Sequence, residues 1–327
     1  MSELVQIKDL TIAYQMGQAA IYAVDQVTLD IKQGETIGIV GESGSGKSTL
    51  GMAIGKLLSQ NAVVEAGQIT IGSDQVQDCS GEELRRIRRD RLGFVFQNPM
   101  TALDPTMRID KQVSLAFARK STPDERLSLL RRSGLENAEQ VAKSYPHELS
   151  GGMAQRVVIA LSIARNPELI IADEPTASLD ASIQDKILDL MIQLRDEAGA
   201  SMVLLSHDLG MVAKRCDRVA VMYGGRIVEI GNSKSVFEDP KHPYTRALIK
   251  AAAGNEKPGE RLEPIGGVPP VLRTSSTFCA FADRCGFAKD ICFSKRPEVH
   301  SEGGIMVTCH FEAKQLAGDE IANEVRA

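Results

Sequence analysis

A glycine-rich loop that follows an apolar stretch is the part of this sequence best suited to chemistry. Gly41, Gly46, Lys47 and Ser48 complete the pattern G-x-x-x-x-G-K-[ST], known as Walker A, directly after the apolar residues 37–40. Backbone N–H groups of such a loop bind phosphate, the lysine reaches the β- and γ-phosphates, and the hydroxyl ligates Mg²⁺. The residues predicted to bind nucleotide are Gly41, Ser43, Gly44, Ser45, Gly46, Lys47, Ser48 and Thr49. The sequence therefore predicts binding of a nucleoside triphosphate with Mg²⁺.

Two adjacent carboxylates end a later apolar run and form a Walker B pattern. Residues 169–172 are Leu-Ile-Ile-Ala, and Asp173 and Glu174 follow at once. Asp173 is suited to hold the Mg²⁺ shell through water, whereas Glu174 is suited to orient or polarise the attacking water. The simpler alternative is that the two acids only cap a strand, but the Walker A loop favours the catalytic interpretation.

A serine followed by two glycines predicts a second site for an anion. Ser150, Gly151 and Gly152 stand directly before a long helical pattern over 154–165. The N-terminus of a helix carries exposed N–H groups and the positive end of the helix dipole, and both favour phosphate. Because one triphosphate needs a single loop, this second site is predicted to serve another nucleotide.

The hydrophobic patterns around these motifs predict an α/β fold with a parallel core. Residues 4–14 and 22–31 alternate apolar and polar side chains, which indicates two antiparallel strands ahead of the loop. Helical patterns fill 106–166, and from Leu169 onward short apolar strands alternate with helices. Local patterns also predict a helix over 47–59, a short strand over 68–71 and an arginine-rich helix over 82–91.

The composition limits the classes of protein that the chain can represent. It has 327 residues and a formal net charge of −5, which argues against a protein that coats nucleic acid. The sequence holds no run of about 18 apolar residues, so no membrane span is predicted. Its N-terminal residues lack the basic and apolar regions of a signal peptide. We therefore expect a cytoplasmic protein whose connection to any membrane comes through partners.

With the motifs in this order, residues 4–235 resemble the ATP-binding cassette (ABC) ATPase family. Beyond the two Walker motifs, the resemblance rests on the Leu-Ser-Gly-Gly-Met segment 149–153, on Gln97 and on His207. It implies that Gln97 touches Mg²⁺ as the Q-loop glutamine, alongside Ser48 and Asp173, and that His207 contacts the γ-phosphate. The resemblance also implies adenine stacking by Tyr14, with Tyr22 as the weaker candidate, and a D-loop made of Ser178, Leu179 and Asp180. Taken singly, His207 could equally be a strand-end histidine and Tyr14 an aromatic at a strand edge.

The same resemblance implies a fold and an assembly. The fold is a P-loop NTPase cassette: a mixed sheet with a RecA-like core, an antiparallel β subdomain and a helical subdomain at about 98–166. The cassette would span 1–235, and a small C-terminal extension 236–327. Two cassettes would pair head to tail, so that ATP on one is covered by the signature segment of the other. That segment comprises Ser150, Gly151, Gly152 and Met153, and Met153 stands where the family often has Gln. The catalytic residues implied are Lys47, Glu174 and His207.

Several segments point to one branch of the family. Residues 93–105, 145–156 and 242–248 are similar to the ATPases of oligopeptide and dipeptide importers. The branch implies an ATPase at the cytoplasmic face of the membrane, with two permease subunits, a paralogous ATPase or second copy, and an external solute-binding protein. Alternatives are import of nickel, glutathione or saccharides, a soluble ABC ATPase acting on ribosomes or DNA, and half of an exporter. The single Walker A motif and modest insert disfavour the soluble class, and the tail disfavours the exporter.

Four cysteines near the C-terminus predict a metal centre. Their spacing is C-x₅-C-x₆-C-x₁₆-C, and they are Cys279, Cys285, Cys292 and Cys309. Four thiolates suit a four-iron four-sulfur cluster, which members of the branch carry there according to the resemblance. Zinc is the second candidate, with His300 and His310 as substitute ligands, although the close C-x₂-C pairs of zinc ribbons are missing. The third possibility is four free thiols.

Overall fold

The computed structural model describes residues 2–17, 19–177, 179–252 and 265–315. The chain divides into two compact units. We call the first the carboxylate unit (Met1–Leu4, Ile31–Thr36, Asp78–Leu205) and the second the phosphate-loop unit (Val5–Asp30, Ile37–Gln77, Ser206–Ala327).

The phosphate-loop unit contains an antiparallel sheet with the strand order β2-β1-β4-β5. Its strands are β1 (Glu3–Met16), β2 (Ala19–Lys32), β4 (Ala62–Ile71) and β5 (Asp74–Gln75). Strand β1 pairs with β4 from Val5↔Ile71 to Tyr14↔Ala62. The alternating pattern over 4–14 therefore does mark a strand, although residues 10–13 are buried on both faces. The register shifts opposite Gly67, whose φ of +85° only glycine adopts easily.

A mixed sheet in the same unit carries the phosphate loop. Strand β3 (Thr36–Val40) runs parallel to β9 (Arg218–Tyr223), and β10 (Arg226–Asn232) runs antiparallel to β9. The hairpin β11 (Val299–Glu302) and β12 (Ile305–Thr308) continues the sheet beyond β10. Every residue of β3 is buried, as expected for a strand covered on both faces. The helices of this unit are α1 (Lys47–Ile54), α9 (Leu209–Arg215), α10 (Ser233–Glu238), α11 (Pro243–Ala252) and α12 (Asp290–Ser294).

The carboxylate unit holds three parallel strands among its described residues, in the order β8-β7-β6. They are β6 (Leu92–Val95), β7 (Leu169–Asp173) and β8 (Ser201–Ser206), and β8 is buried throughout. The helices are α2 (Gly81–Arg86), α3 (Pro99–Ala102), α4 (Ile109–Ala116), α5 (Pro123–Arg132), α6 (Ala138–Lys143), α7 (Gly151–Ile163) and α8 (Ala181–Ala198). Among the described residues, no helix is both long and apolar enough to cross a bilayer.

Local chemistry explains where several of these helices begin and end. Thr122 and Glu125 form a capping box at the start of α5, and Pro123 occupies its first turn. Helix α8 ends at Ala198 and is capped by Gly199, which adopts a φ of +63°. Such signals are readable in the sequence, and the helical pattern predicted between 106 and 166 is confirmed by α4 to α7.

Three local predictions need correction. The helix expected over 47–59 ends at Ile54, because Gly55 caps it and Lys56 takes a left-handed φ of +52°. The short strand expected over 68–71 begins at Ala62, since the longer β4 pairs along most of β1. The helix expected over 82–91 is α-helical only to Arg86 and continues as a π-helix over Ile87–Arg91.

Candidate functional site

Steric exclusion shapes the phosphate loop between β3 and α1. Gly41 has a φ of +152°, and a Cβ built there would lie 2.1 Å from the carbonyl oxygen of Met222. Gly46 has a φ of +105°, and its Cβ would lie 2.1 Å from the carbonyl oxygen of Ala23. Neither position accepts a side chain without moving the backbone. The two outer glycines of the Walker pattern are therefore required by the close approach of neighbouring strands.

The ammonium group of Lys47 is held inside the loop. Its Nζ donates hydrogen bonds to the carbonyl oxygens of Gly41, at 2.8 Å, and Glu42, at 3.0 Å. Lys47 is buried, whereas Ser43, Gly44 and Ser48 of the same loop are exposed. The loop thus presents exposed backbone and hydroxyl groups around a fixed positive charge, which is an arrangement that binds phosphate.

Tyr14 lies against the end of this loop. Its hydroxyl is 3.2 Å from Oγ1 of Thr49 in α1, and its side chain is half-buried on β1. Tyr22 is also half-buried, and a hydrogen bond with Glu65 raises the pKa of its phenol. The residue predicted to stack on adenine therefore sits beside the predicted phosphate site, within one unit.

In the carboxylate unit, Gln97 contacts Glu174, which lies 77 positions later in the sequence. Asp173 ends β7, and Glu174 follows with a φ of +44°, a conformation that costs a non-glycine residue free energy. Its N–H donates to the carbonyl oxygen of Leu205 at 2.9 Å. The side-chain amide of Gln97, just beyond β6, donates to the Glu174 carboxylate at 3.2 Å. A strained backbone and a glutamine partner thus fix the predicted water-orienting carboxylate.

The signature segment begins helix α7. Ser150 is exposed, and its Oγ accepts a hydrogen bond from the N–H of Met153 at 3.3 Å. A Cβ built on Gly151 would lie 3.7 Å from Leu179, and one on Gly152 would lie 3.6 Å from Ile183. The signature segment therefore lies beside Leu179 of the predicted D-loop in the same unit. Asp180 is the exposed N-cap residue of α8, and Ser178 lies outside the described residues.

His207 lies where the sequence predicts a strand-end histidine. It follows β8 directly and is exposed. The next residue, Asp208, accepts the N–H of Met211 at 2.9 Å and so starts α9. The turn that carries His207 is therefore anchored on both sides by regular structure.

The four C-terminal cysteines line one small cavity in the phosphate-loop unit. Burial, with the neighbouring thiols adding to it, raises the pKa of Cys279 to about 11 and that of Cys285 to about 12. Burial likewise raises the pKa of Cys309. Within the described part of the chain, no three His, Cys, Asp or Glu side chains stand ready as a metal-binding group. The four cysteines thus share one cavity, but the described side chains are not arranged as a metal-ligand group.

Sequence reasoning missed two ion pairs that join distant segments of the phosphate-loop unit. Asp25 is fully buried and accepts hydrogen bonds from Nε and Nη2 of Arg226 at 2.9 and 2.6 Å. Glu42, inside the phosphate loop, pairs with Arg284. The position of Arg284 directly before Cys285 was the one hint of its importance, and nothing local indicated its partner.

Two known protein families match this chain. Residues 24–177 match the family described as ABC transporter. Residues 228–292 match the family described as Oligopeptide/dipeptide transporter, C-terminal region.

Similar proteins cover nearly the whole chain. It is 37% identical to the dipeptide transport ATP-binding protein DppD of Haemophilus influenzae, over 94% of this chain and 95% of that protein. It is 40% identical to the oligopeptide transport ATP-binding protein OppD of Bacillus subtilis, over 90% of this chain and 85% of that protein. Among solved structures, the ATP-binding cassette MJ0796, dimeric in a post-hydrolysis state with ADP and Pi, matches at a TM-score of 0.63. That match has 34% identity over 70% of this chain and 99% of that chain, and it confirms the predicted fold.

Proposed function

Because the chain belongs to the ABC transporter family, in its oligopeptide/dipeptide type, we propose that it is the ATP-hydrolysing subunit that energises import of di- and oligopeptides. The observation that carries this proposal is the presence of both parts in one chain: the cassette at 24–177 and the oligopeptide/dipeptide C-terminal region at 228–292. Relatives named for dipeptide and oligopeptide transport align over both parts.

The proposed chemistry is in-line attack of water on the γ-phosphate of ATP. Lys47 and the N–H groups of the phosphate loop bind and orient the phosphates. Glu174 orients the attacking water, and His207 contacts the γ-phosphate. Ser48, Gln97 and Asp173 offer the hard oxygen atoms that Mg²⁺ prefers and would hold the ion, which would neutralise phosphate charge. Most of the rate enhancement then comes from positioning and electrostatics.

The subunit is proposed to work as one of a pair. Ser150, Gly151, Gly152 and Met153 of one cassette would cover ATP held on Lys47 of a second copy or a paralogue. Support comes from the exposure of Ser150 and Gly151 at the start of α7 and from the dimeric state of MJ0796. Leu179 of the D-loop, which lies beside Gly151 of the signature segment, would carry the state of one site to the other.

A groove in the carboxylate unit is proposed to receive the permease, at the cytoplasmic face of the membrane. It has a volume of about 440 Å³, and its lining combines apolar side chains, among them Phe94, Phe96 and Leu115, with three arginines. Leu115 is 59% exposed, so this unit leaves apolar surface for a partner. Arg165 fixes one wall, since it donates to the carbonyl oxygens of Ala116 and Phe117 at 2.7 Å each. An external solute-binding protein would deliver the peptide to the permease pair.

The cysteine cavity is proposed to hold a four-iron four-sulfur cluster, with zinc as the second candidate. The proposal rests on the four cysteines that line one cavity, which is the number of thiolates that such a centre needs. Bound metal would stabilise the thiolate forms and reverse the effect of burial on the cysteine pKa values. The metal centre would stabilise the C-terminal extension, which has only a small hydrophobic core of its own.

Purification of the tagged full chain from membranes of its own cells tests the transport proposal. We expect permease subunits to co-purify, and reconstituted vesicles to take up labelled dipeptide only with ATP. Leu115→Asp should abolish permease binding, whereas Val63→Asp, which changes an exposed residue on β4, should not. Recovery of ribosomal protein or DNA in place of permeases would refute the proposal.

A further inference from the structure

Glu42 of the phosphate loop is held from outside the loop at its backbone and at its side chain. Its N–H donates to the hydroxyl of Tyr244, on α11, at 2.9 Å. Its carboxylate accepts Nη1 and Nη2 of Arg284 at 2.6 and 3.0 Å. Its carbonyl oxygen accepts the ammonium of Lys47 and the N–H of Ser45 at 3.2 Å. The position of Glu42 therefore sets both the course of the loop and the resting place of its lysine.

The guanidinium of Arg284 is fixed in one orientation by its hydrogen bonds. Besides the fork on Glu42, Nη1 donates to the hydroxyl of Tyr223 at 3.2 Å. Nε and Nη2 donate to the carbonyl oxygens of Gly266, at 2.7 Å, and Ile265, at 3.1 Å. These contacts use every N–H direction of the guanidinium, and its side chain is only 4% exposed. A two-pronged, charge-assisted pair of this kind fixes orientation as well as distance.

An aromatic cluster packs around the groups that hold Glu42. Tyr223 and Tyr244 have ring centroids 4.5 Å apart, and Phe281 lies 5.1 and 5.3 Å from them. Tyr244 is fully buried, and burial raises the pKa of its phenol, so the hydroxyl stays neutral. Phe281 also lines the cysteine cavity. The extension and the phosphate loop thus share one rigid set of contacts inside the phosphate-loop unit.

We propose that Arg284 and Tyr244 are positioning residues for nucleotide binding, which act by holding Glu42 and through it the phosphate loop. The C-terminal extension therefore supplies two of the groups that set the shape of the nucleotide site of the cassette. Because the N–H of Glu42 is bound to Tyr244, the donors to phosphate come from the later loop residues. This inference requires nucleotide binding at the loop and is independent of the solute transported.

The test is the affinity of the isolated full chain for a fluorescent ADP analogue with Mg²⁺. We expect Arg284→Met to weaken binding by about tenfold to a hundredfold, the range that loss of one hydrogen bond to a charged group typically spans. Arg284→Lys should recover only part of this affinity, because an ammonium cannot reproduce the fork. Lys295→Met removes an exposed cation from the same extension and should bind the analogue like the wild type.

A double-mutant cycle separates positioning from a general structural role. If Arg284 acts through Glu42, then Arg284→Met should cost little further affinity once Glu42→Gln is present. Tyr244→Phe, which removes only the acceptor of the Glu42 N–H, should weaken binding in the otherwise intact chain. Should Arg284→Met fail to fold, Arg284→Lys replaces it in the cycle. Wild-type affinity in the folded variants, or strictly additive effects, would overturn the proposal, whether or not the chain transports peptides.

Discussion

Gln97 donates a hydrogen bond to the carboxylate of Glu174 at 3.2 Å, although the two residues belong to different strand ends. The glutamine proposed to ligate Mg²⁺ and the carboxylate proposed to orient water are thus hydrogen-bond partners. The contact ties the position of one of these side chains to that of the other.

Replacement of Glu174 by Gln should remove turnover and leave ATP bound. Loss of a group that activates water typically costs about 10²–10⁴-fold in rate. The paired state should persist with ATP, which sedimentation or scattering can detect. Glu168→Gln, at the other end of β7, changes a carboxylate that pairs with Arg91 and should leave turnover unchanged. Undiminished hydrolysis in Glu174→Gln would show that another group orients the water.

Two glycines of the loop should differ sharply in their tolerance of a methyl group. Gly46→Ala would place Cβ 2.1 Å from the Ala23 carbonyl, so the loop must open and nucleotide binding should be lost. A Cβ built on Gly44 meets nothing within 4 Å. Gly44→Ala should therefore weaken nucleotide binding by no more than the conformational penalty of its φ of +78°, about 1–2 kcal/mol. Calorimetric titration with ADP measures both. Equal affinity of the two variants would contradict the packing at Gly46.

The buried pair of Asp25 and Arg226 should dominate the stability of the phosphate-loop unit. Asp25→Asn leaves a guanidinium that is only 5% exposed without its counter-charge, which we expect to cost about 3–5 kcal/mol. Urea unfolding followed by circular dichroism provides the measurement. Lys234→Met breaks the exposed pair with Glu238 and should have no measurable effect. A loss no larger than that of this control would mean that water reaches Arg226.

The capping box of α5 should make a local and pH-dependent contribution to the free energy of unfolding. Thr122→Ala removes the acceptor of the Glu125 N–H and should cost about 1 kcal/mol. Hydrogen bonds from Arg119 and then from the Thr122 N–H lower the pKa of Glu125 from its ordinary 4.5 to about 2. Because the folded pKa is the lower one, the contribution is complete above pH 4.5 and is lost as pH falls towards 2. Stability curves of wild type and Glu125→Gln should therefore converge over that interval, and curves that stay parallel would contradict the assignment.

Metal in the cysteine cavity should be visible by colour. Chain purified without oxygen should show the broad brown absorbance of an iron–sulfur cluster, and Cys285→Ser should lose it. Cys79→Ser removes a buried cysteine of the other unit and should keep the colour. Colourless wild-type protein that contains zinc would establish the second candidate, and metal-free protein would reject both.

The parts of the site that the sequence predicted are those in which the chemistry is local. The Walker loop needs residues within ten positions of each other, so Gly46, Lys47 and Ser48 could be assigned from their order. The roles of Gln97 and His207 depended on the family resemblance, because nothing near them in the sequence names a partner.

The parts that could not be predicted depend on contacts between distant segments. Glu42 and Arg284 lie 242 positions apart, and nothing near either residue in the sequence indicates that the two form a pair. Strands β11 and β12 are short and only partly apolar, so their place beside β10 follows from sheet pairing that no local pattern indicates. The end of α1 was missed because the apolar residues Leu57 and Leu58 continue the helical pattern past the glycine that stops it.

The pairing of β12 with β10, at Glu229↔Val307 and Ile230↔Met306, has a practical consequence for anyone who trims this protein. A fragment ending at residue 235 would keep the nucleotide motifs but bare the unpaired N–H and C=O groups of β10. An exposed sheet edge of this kind can pair with strands of other molecules, so the shortened fragment should aggregate under conditions in which the full chain does not.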